Sequence, residues 1–382
     1  MPPSGVFNPI NPSPAPSPAG MIRRLGLSGI QWSESDEPFP THHRGSAIPL
    51  KRKIQVQSMV LQKVRDLFSC DACLESHLPN LTSAIGSNGT AGSIVEFNDA
   101  GEPVFSRQTS WPHLDQLINN GHSSAYCERI EAMNHGCPAG IPPVEAKLFE
   151  TVRCNMSLNE ICDFQETLVK NVASTLTADD VNGENMTRLD RMIRSNHPRI
   201  TYRDAVGILR RRGFSVEFGY YLGSKYEGAL LHYTGYLPIH ITHFPANLKP
   251  YNTKLCNGDK SLTATSEYIF PFAGRIAEGA ELESDPAILR DRLYNGSLYK
   301  QIMKQIGEWL NGEPRLAGSP NKTSLADRWQ RSAQTSVQGD FEKYISLLET
   351  RPLERAGARL CAGRLLQYIM GSDSVADALE VS

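Results

Sequence analysis

Four stretches between residues 200 and 285 decide the fold: ITYRDAVGILRRRG (200–213), VEFGYYLGSKYEGALL (216–231), PIHITHFPANLKPYN (238–252) and SEYIFPFAGRIAEGAE (266–281). The first predicts a helix after Tyr202, in which Thr201 is a suitable N-cap and Gly213 a suitable C-terminal stop. The runs ALLHYTGY and PIHITHF, broken by Gly and Pro, predict strands. Helices and strands do not alternate regularly, so we expect an α+β domain with an antiparallel sheet rather than a doubly wound one.

The regions on either side of this centre add helices and a leader. Residues 1–50 are rich in Pro and Ser, a composition that predicts disorder. From Lys51 apolar residues recur at helical spacing, and further helices are predicted from Leu158 to Leu176 and over most of Ile288 to Leu310. A polar connection follows around residues 312–324. The sequence therefore divides into a leader, residues 1–50, and one domain, residues 51–382.

Composition limits the classes of function. The 39 Lys and Arg residues are balanced by 41 Asp and Glu, whereas a general nucleic-acid binder usually carries a basic surplus. No apolar run could span a bilayer, and no signal peptide is recognisable. We therefore expect a cytoplasmic protein without a membrane partner. Cys70 and Cys73 form one CxxC motif, and the sequence leaves open whether it binds anything.

The four stretches, in this order and spacing, resemble the catalytic core of class II asparaginyl- and aspartyl-tRNA synthetases and their short asparagine-synthesising paralogs. The helix from Lys51, followed by Pro79, resembles the dimer-forming motif 1, and RAGARLCAGRLLQYIMG (355–371) resembles motif 3. The resemblance covers about residues 51–378. It implies an antiparallel sheet of six to seven strands flanked by helices, in a homodimer formed through residues 51–82.

The leader bears on the choice of substrate. It is too short and too poor in strand signals to form the barrel with which these synthetases read the anticodon. Together with the balanced charge, this leads us to expect no tRNA partner and a small-molecule substrate.

The resemblance implies ATP and magnesium as cofactors, but the sequence alters residues that would bind them. Arg364 matches the motif 3 arginine that contacts ATP, and Glu267 stands where the family has a metal-binding aspartate. The next acid of the family is replaced by Arg275, and an arginine cannot bind magnesium. Use of ATP is therefore an open question.

Motif 2 carries a similar ambiguity. Spacing back from Glu145 and Glu150, which match two acids of the motif 2 strand, puts Met133 where the family has its α-phosphate arginine. Arg129 and Glu131 form an Arg-x-Glu pair four residues away. These two are the candidate cofactor-binding residues, together with Arg364.

Two further departures concern motif 3 and substrate choice. Gly357 remains, but Arg359 and Cys361 fill positions where the family has glycines close to adenine. Leu282 replaces the arginine that grips a carboxyl side chain in aspartyl-type relatives. Because a leucine cannot pair with a carboxylate, aspartate is not the expected substrate.

Glu227, His243 and Tyr251 are the candidate catalytic residues. Glu227 matches a family glutamate, and His243 stands at a family aspartate position, where it could transfer protons near neutral pH. His240 and His243 should lie on opposite faces of their strand. We also expect six of the 13 tyrosines to line or flank the substrate pocket as an aromatic wall: Tyr220, Tyr221, Tyr226, Tyr233, Tyr236 and Tyr251.

Three functions remain open from the sequence. The first is a tRNA-independent ligase that activates a carboxylate with ATP and forms an amide, in specialised metabolism. The second is a repurposed enzyme that has abandoned ATP and performs acid–base or cyclisation chemistry in the old adenylate pocket. The third is a non-catalytic paralog.

Overall fold

A computed structural model of the chain describes residues 48–70, 72–82, 94–97, 102–133, 144–312 and 322–379. All but the last three residues of the predicted leader lie outside these ranges. So does most of the polar connection predicted around residues 312–324.

The helices and strands follow one another along the chain. The strands are β1 (Leu74–Glu75), β2 (Leu81–Thr82), β3 (Ile94–Phe97), β4 (Pro103–Ser106), β5 (Ser124–Met133), β6 (Val144–Cys154), β7 (Arg199–Thr201), β8 (Ile239–Thr242), β9 (Leu255–Cys256), β10 (Asp259–Thr263), β11 (Thr265–Phe270), β12 (Gly274–Glu281) and β13 (Arg355–Cys361). The helices are α1 (Leu50–Cys70), α2 (Trp111–Asn119), α3 (Leu158–Ala173), α4 (Ala178–Val181), α5 (Gly183–Arg194), α6 (Tyr202–Arg211), α7 (Ser224–Tyr233), α8 (Pro286–Tyr294), α9 (Ser297–Gly312), α10 (Lys322–Thr350), α11 (Ala362–Met370) and α12 (Val375–Leu379).

One large sheet organises the described residues. Its eight strands lie in the order β1-β5-β6-β13-β12-β11-β8-β7. The inner pairs are antiparallel, but β1 pairs with β5 and β7 with β8 in parallel. The α+β prediction is therefore confirmed, while the expected antiparallel sheet of six or seven strands is in fact a mixed sheet of eight, extended at its edges by two short strands.

Helix α3 shows how the sequence fixes one layer on this sheet. Ser157 and Glu160 form a reciprocal capping box at its N-terminus, which satisfies backbone donors that the helix itself cannot. The helix then packs across β12, where a Cβ on Gly279 would overlap Ile161. A glycine at this position therefore allows the close approach of helix and sheet.

The structure confirms most of the predicted elements and corrects one. Thr201 caps α6 through the Asp204 amide, and PIHITHF contains β8. The strand prediction for ALLHYTGY is wrong, because these residues form the end of α7 and the turn after it. Glu227, Leu230 and Leu231 are all buried, which is the i, i+3, i+4 spacing of a helix face.

A second apolar core lies between the helices α8, α9 and α10. It includes Leu289, Ile302, Ile306, Trp329 and Phe341. The Tyr344 hydroxyl of α10 connects this core to the sheet, because it contacts the buried ion pair between Arg355 of β13 and Asp115 of α2. Among the described helices, none combines the length and apolar content that crossing a membrane requires.

Candidate active site

A cavity of about 390 Å³ opens between α7, the β11–β12 turn, the start of α11 and residues 371–373, which follow that helix. Its aromatic walls include Tyr221, Phe270 and Phe272. Four charged side chains also line it: Glu227, Arg275, Arg364 and Asp373. Pockets of this size, mostly apolar with a few polar groups, are typical small-molecule sites.

Glu227 is the most unusual residue of the cavity. The residue is only 9% exposed, and its carboxylate makes no hydrogen bond or salt bridge within the described part of the chain. Burial, reinforced by the negative charge of Glu267, raises the pKa of Glu227 to about 7, although Arg275 and Arg364 act in the opposite direction. Near neutral pH this carboxyl group can therefore both donate and accept a proton.

Arg364 approaches the cavity from the start of α11. Its Nη1 donates a 2.6 Å hydrogen bond to the carbonyl of Ala273. Gly274 follows with a φ of +68°, and a Cβ there would lie 2.8 Å from Arg364 Nη1 and 3.7 Å from Glu227 Oε2. The glycine thus permits both the left-handed turn and the close approach of a cation and a carboxyl group.

Eight charged side chains form an alternating row along one face of the sheet, from the cavity to β5. In order they are Lys249, Glu267, Arg275, Glu278, Arg359, Glu150, Arg129 and Glu131. Successive contacts include 2.7 Å between Glu267 and Arg275 and 2.9 Å between Arg359 and Glu150. We call this set the ionic row; its four cations and four carboxylates sum to zero.

The buried carboxylates of the ionic row, Glu150, Glu267 and Glu278, have lowered pKa values because each lies between cations. Burial would raise the pKa of Glu278, but Arg275 and Arg359 outweigh burial and lower this pKa to about 2. Burial acts in the same way on Glu267, where Arg275 and Lys249 outweigh it and lower the pKa. A buried charge is tolerated when it is paired in this way.

The ionic row fits magnesium and ATP poorly. Glu267 is 4% exposed, and its carboxylate already accepts hydrogen bonds from Lys249 and Arg275. Arg359 is 9% exposed and fills the space that a motif 3 glycine would leave free. Among the described residues, no group of three or more His, Cys, Asp or Glu side chains could hold a metal ion. The residues that could contact phosphates or magnesium contact one another instead.

The structure brings some predicted site residues together and separates others. Glu227 and Arg364 line the same cavity, and Glu267 is one ion pair away through Arg275. Arg129 and Glu131 pair with each other at the far end of the ionic row.

Motif 2 lies in a β-hairpin. Its strand β5 ends at Met133, which pairs with Val144 in β6. Arg129 is buried and contacts Glu150 on the neighbouring strand. Arg129 thus contacts Glu150 on the sheet, whereas Met133, four residues further on, stands at the strand end.

His243 and Tyr251 lie away from the cavity lining. His243 follows β8 with a φ of +57°, and its Nδ1 lies 2.9 Å from the Thr242 hydroxyl. Tyr251 is buried in the second core, edge-on to Phe341. The expected tyrosine wall is also largely wrong: of the six tyrosines only Tyr221 is among the residues that line the cavity. Tyr220 and Tyr236 are exposed, and Tyr233 and Tyr251 are buried elsewhere.

Sequence reasoning missed several cavity residues. Phe270 ends β11, Phe272 lies in the turn between β11 and β12, and Asp373 follows α11. The FPFAG turn between two strands was a usable signal for the aromatic pair, since such turns often border sites. Asp373 had no comparable signal.

The fold and the charged face define a catalytic domain of the class II synthetase type. Residues 46–380 match the family model of class II tRNA synthetases (D, K and N). The chain belongs to this family.

Similar proteins agree with this assignment. The aspartate–tRNA(Asp) ligase of Pyrobaculum aerophilum is 33% identical over 358 residues, 91% of this chain and 72% of that enzyme. The asparagine–tRNA ligase of Clostridium botulinum is 30% identical over 118 residues, 30% of this chain and 25% of that enzyme. The asparaginyl-tRNA synthetase from Pyrococcus horikoshii, solved with asparaginyl-adenylate, has a TM-score of 0.67 at 18% identity, covering 86% of this chain and 67% of that one. This structural likeness concerns the fold.

Proposed function

We propose that this chain is an enzyme that acts on a small molecule without charging tRNA, and that its reaction is a proton transfer at Glu227. The single observation that carries the proposal is a buried, unpaired carboxyl group with a pKa of about 7 in an aromatic cavity. Perturbed pKa values of this kind cluster at catalytic sites. A proton-transfer reaction on a small molecule would be consistent with a role in specialised metabolism, where existing folds are often used for new substrates.

The cavity residues suggest how the step would proceed. A substrate O–H, N–H or C–H proton moves to a Glu227 oxygen, and Arg364 and Arg275 stabilise the negative charge left on the substrate. The aromatic side chains exclude water and hold the substrate body. When the proton returns to a different atom, an isomerisation or cyclisation is complete, and no co-reactant is consumed.

ATP-dependent carboxylate activation with amide formation is the second candidate. The family and the position of Arg364 at the cavity favour it. The ionic row argues against ATP-dependent activation, because each of its cations is paired with a carboxylate and each of its carboxylates with a cation. A triphosphate with magnesium would have to displace these pairs before binding.

ATP with magnesium is expected neither to raise the melting temperature nor to yield pyrophosphate or AMP when small carboxylates and amines are supplied. A ligand at 100 times its Kd would stabilise the protein by about 2.7 kcal/mol, a readily measured shift. The aspartate–tRNA ligase of Pyrobaculum aerophilum, assayed in parallel, is the positive control. Pyrophosphate release by this chain would establish the second candidate instead.

We also propose that the protein is a homodimer formed through residues 51–82. Four large apolar side chains are exposed there: Ile54, Met59, Leu74 and Leu81 are each 36% to 51% exposed. An exposed apolar surface of this kind commonly becomes buried in an interface. A second copy of the chain would cover it with the same surface, as twofold symmetry requires.

Replacing Ile54 by Lys is expected to convert the dimer to a monomer, because it would bury an unpaired charge in the interface. Sedimentation velocity measures the change in mass. Glu184→Lys, on the exposed side of α5, is the matched control and should leave the dimer intact. A wild-type monomer at micromolar concentration would exclude this interface.

A further inference from the structure

Arg107, between β4 and α2, is a buried cation that has no partner within the described part of the chain. It is 2% exposed, and its Nε, Nη1 and Nη2 make no hydrogen bond among the described residues. Its backbone is well anchored, since its amide donates to Asn80 and its carbonyl accepts from Arg129. The chain is therefore held so that an arginine side chain is enclosed with all five N–H donors unused.

The surroundings of Arg107 do not neutralise it. The negative charge of Glu150 acts on it, yet this carboxylate is engaged by Arg129, Arg359 and the amide of Ser110. The charges of the ionic row sum to zero. Arg107 is therefore a surplus positive charge at the β5–β6 end of the row. Burial accordingly lowers the pKa of the Arg107 guanidinium.

A second polar group without a partner lies close by. The Nδ1 atom of His113 is buried and makes no hydrogen bond in the described structure. Burial, and then the charge of Arg107, lower the pKa of His113, so this ring is neutral at pH 7. Asp340 of α10 also acts on His113 but pairs with Lys343. The local excess thus remains a single positive charge.

We propose that Arg107 binds the carboxylate of a small monoanionic ligand, with His113 as a neutral polar neighbour. A guanidinium presents a planar fork of donors that matches a carboxylate in a bidentate pair. A single surplus charge fits a monoanion, whereas a phosphate dianion would retain an uncompensated charge beside Glu150. This ligand site is independent of the proton transfer at Glu227, and either proposal can fail without the other.

The proposal has an unusual consequence for stability. An enclosed, unpaired cation destabilises the ligand-free protein, so removing it should stabilise that state. A residue kept at a cost in stability is typical of a binding function. Arg355 offers the opposite case: it is equally buried but fully paired with Asp115, and its removal should destabilise the protein.

The test compares wild type, Arg107→Met and the control Arg355→Met by thermal melting in a chloride-poor buffer. Acetate, propionate and benzoate are the probes, acetamide is the neutral control, and inorganic phosphate is the dianion. We expect monocarboxylates to raise the wild-type melting temperature in a saturable way by a few degrees, about 2–4 °C per kcal/mol for a domain of this size. Arg107→Met should melt above ligand-free wild type and show no carboxylate-dependent shift, whereas Arg355→Met should melt well below it.

Each other outcome overturns the proposal. Equal shifts in wild type and Arg107→Met would mean that carboxylates bind elsewhere, and a shift with phosphate alone would exclude a monoanion site. If Arg107→Met melts below wild type or does not fold, Arg107 has a structural partner. As a second readout, the His113 pKa followed by NMR should rise when a carboxylate covers the guanidinium, and an unchanged value would count against the site.

Discussion

Replacing Glu227 by Gln is expected to lower turnover of the cognate substrate by about 10²- to 10⁴-fold, the usual contribution of a positioned general acid–base. The amide keeps the size of the side chain but cannot take up a proton. Wild-type turnover should depend on pH with an inflection near the Glu227 pKa of about 7. The variant should lose this inflection. Steady-state kinetics across pH 5–9 measures both effects.

The stability of the Glu227 variant separates catalysis from folding. Because the folded-state pKa is raised, the protonated form stabilises the fold at low pH, and this contribution is lost as pH rises from about 4.3, the unfolded value, toward 7. Glu227→Gln should therefore be at least as stable as wild type at pH 8. Glu217→Gln, an exposed carboxylate shortly before α7, is the control and should leave turnover unchanged. Full turnover of Glu227→Gln would remove this residue from the mechanism.

Replacing Arg355 by Met is expected to lower the free energy of unfolding by about 3–5 kcal/mol, because it leaves Asp115 as a buried charge without its cation. Arg355 donates to both Asp115 oxygens, at 2.6 and 2.8 Å, and the Tyr344 hydroxyl contacts both residues. Both charged side chains are 1% exposed. Urea denaturation, followed by tryptophan fluorescence, measures the loss.

Two further variants test the cause of this loss. The double variant Asp115→Leu with Arg355→Met should recover much of the stability, since it removes both charges. Arg290→Met breaks an exposed pair with Glu342, and solvent screening should make its effect small. A loss below about 1 kcal/mol for Arg355→Met would contradict the buried pair.

The sequence predicted the sheet better than the site. Residues 200–285 carry their own turns, caps and alternation, so β8, β11 and β12 could be expected from local patterns. The run ALLHYTGY was misread because three apolar residues and two tyrosines suit a buried helix as well as a strand. The length of the apolar pattern would have favoured a helix, because the run continues the helical segment that begins at Ser224.

The ionic row could not be predicted from sequence. Arg359 was recognised as a departure from a glycine, but its partner Glu150 lies on β6, 209 positions earlier, and becomes its neighbour only through the β13–β6 register. Glu227 was found through the family match, whereas its raised pKa depends on the burial that the folded cavity provides. Tertiary neighbours, and not residue types, decided which predicted side chains share the cavity.

The ionic row also constrains how this lineage can change. An acid at position 275 would place a second carboxylate beside Glu267. A glycine at position 359 would remove the cation that lies between Glu150 and Glu278. Each substitution alone would lower the free energy of unfolding by about 3–5 kcal/mol, which is a large part of the total stability of an ordinary protein. Reversion one codon at a time therefore passes through poorly folded intermediates. Strong epistasis of this kind makes the ionic row difficult to undo by single substitutions.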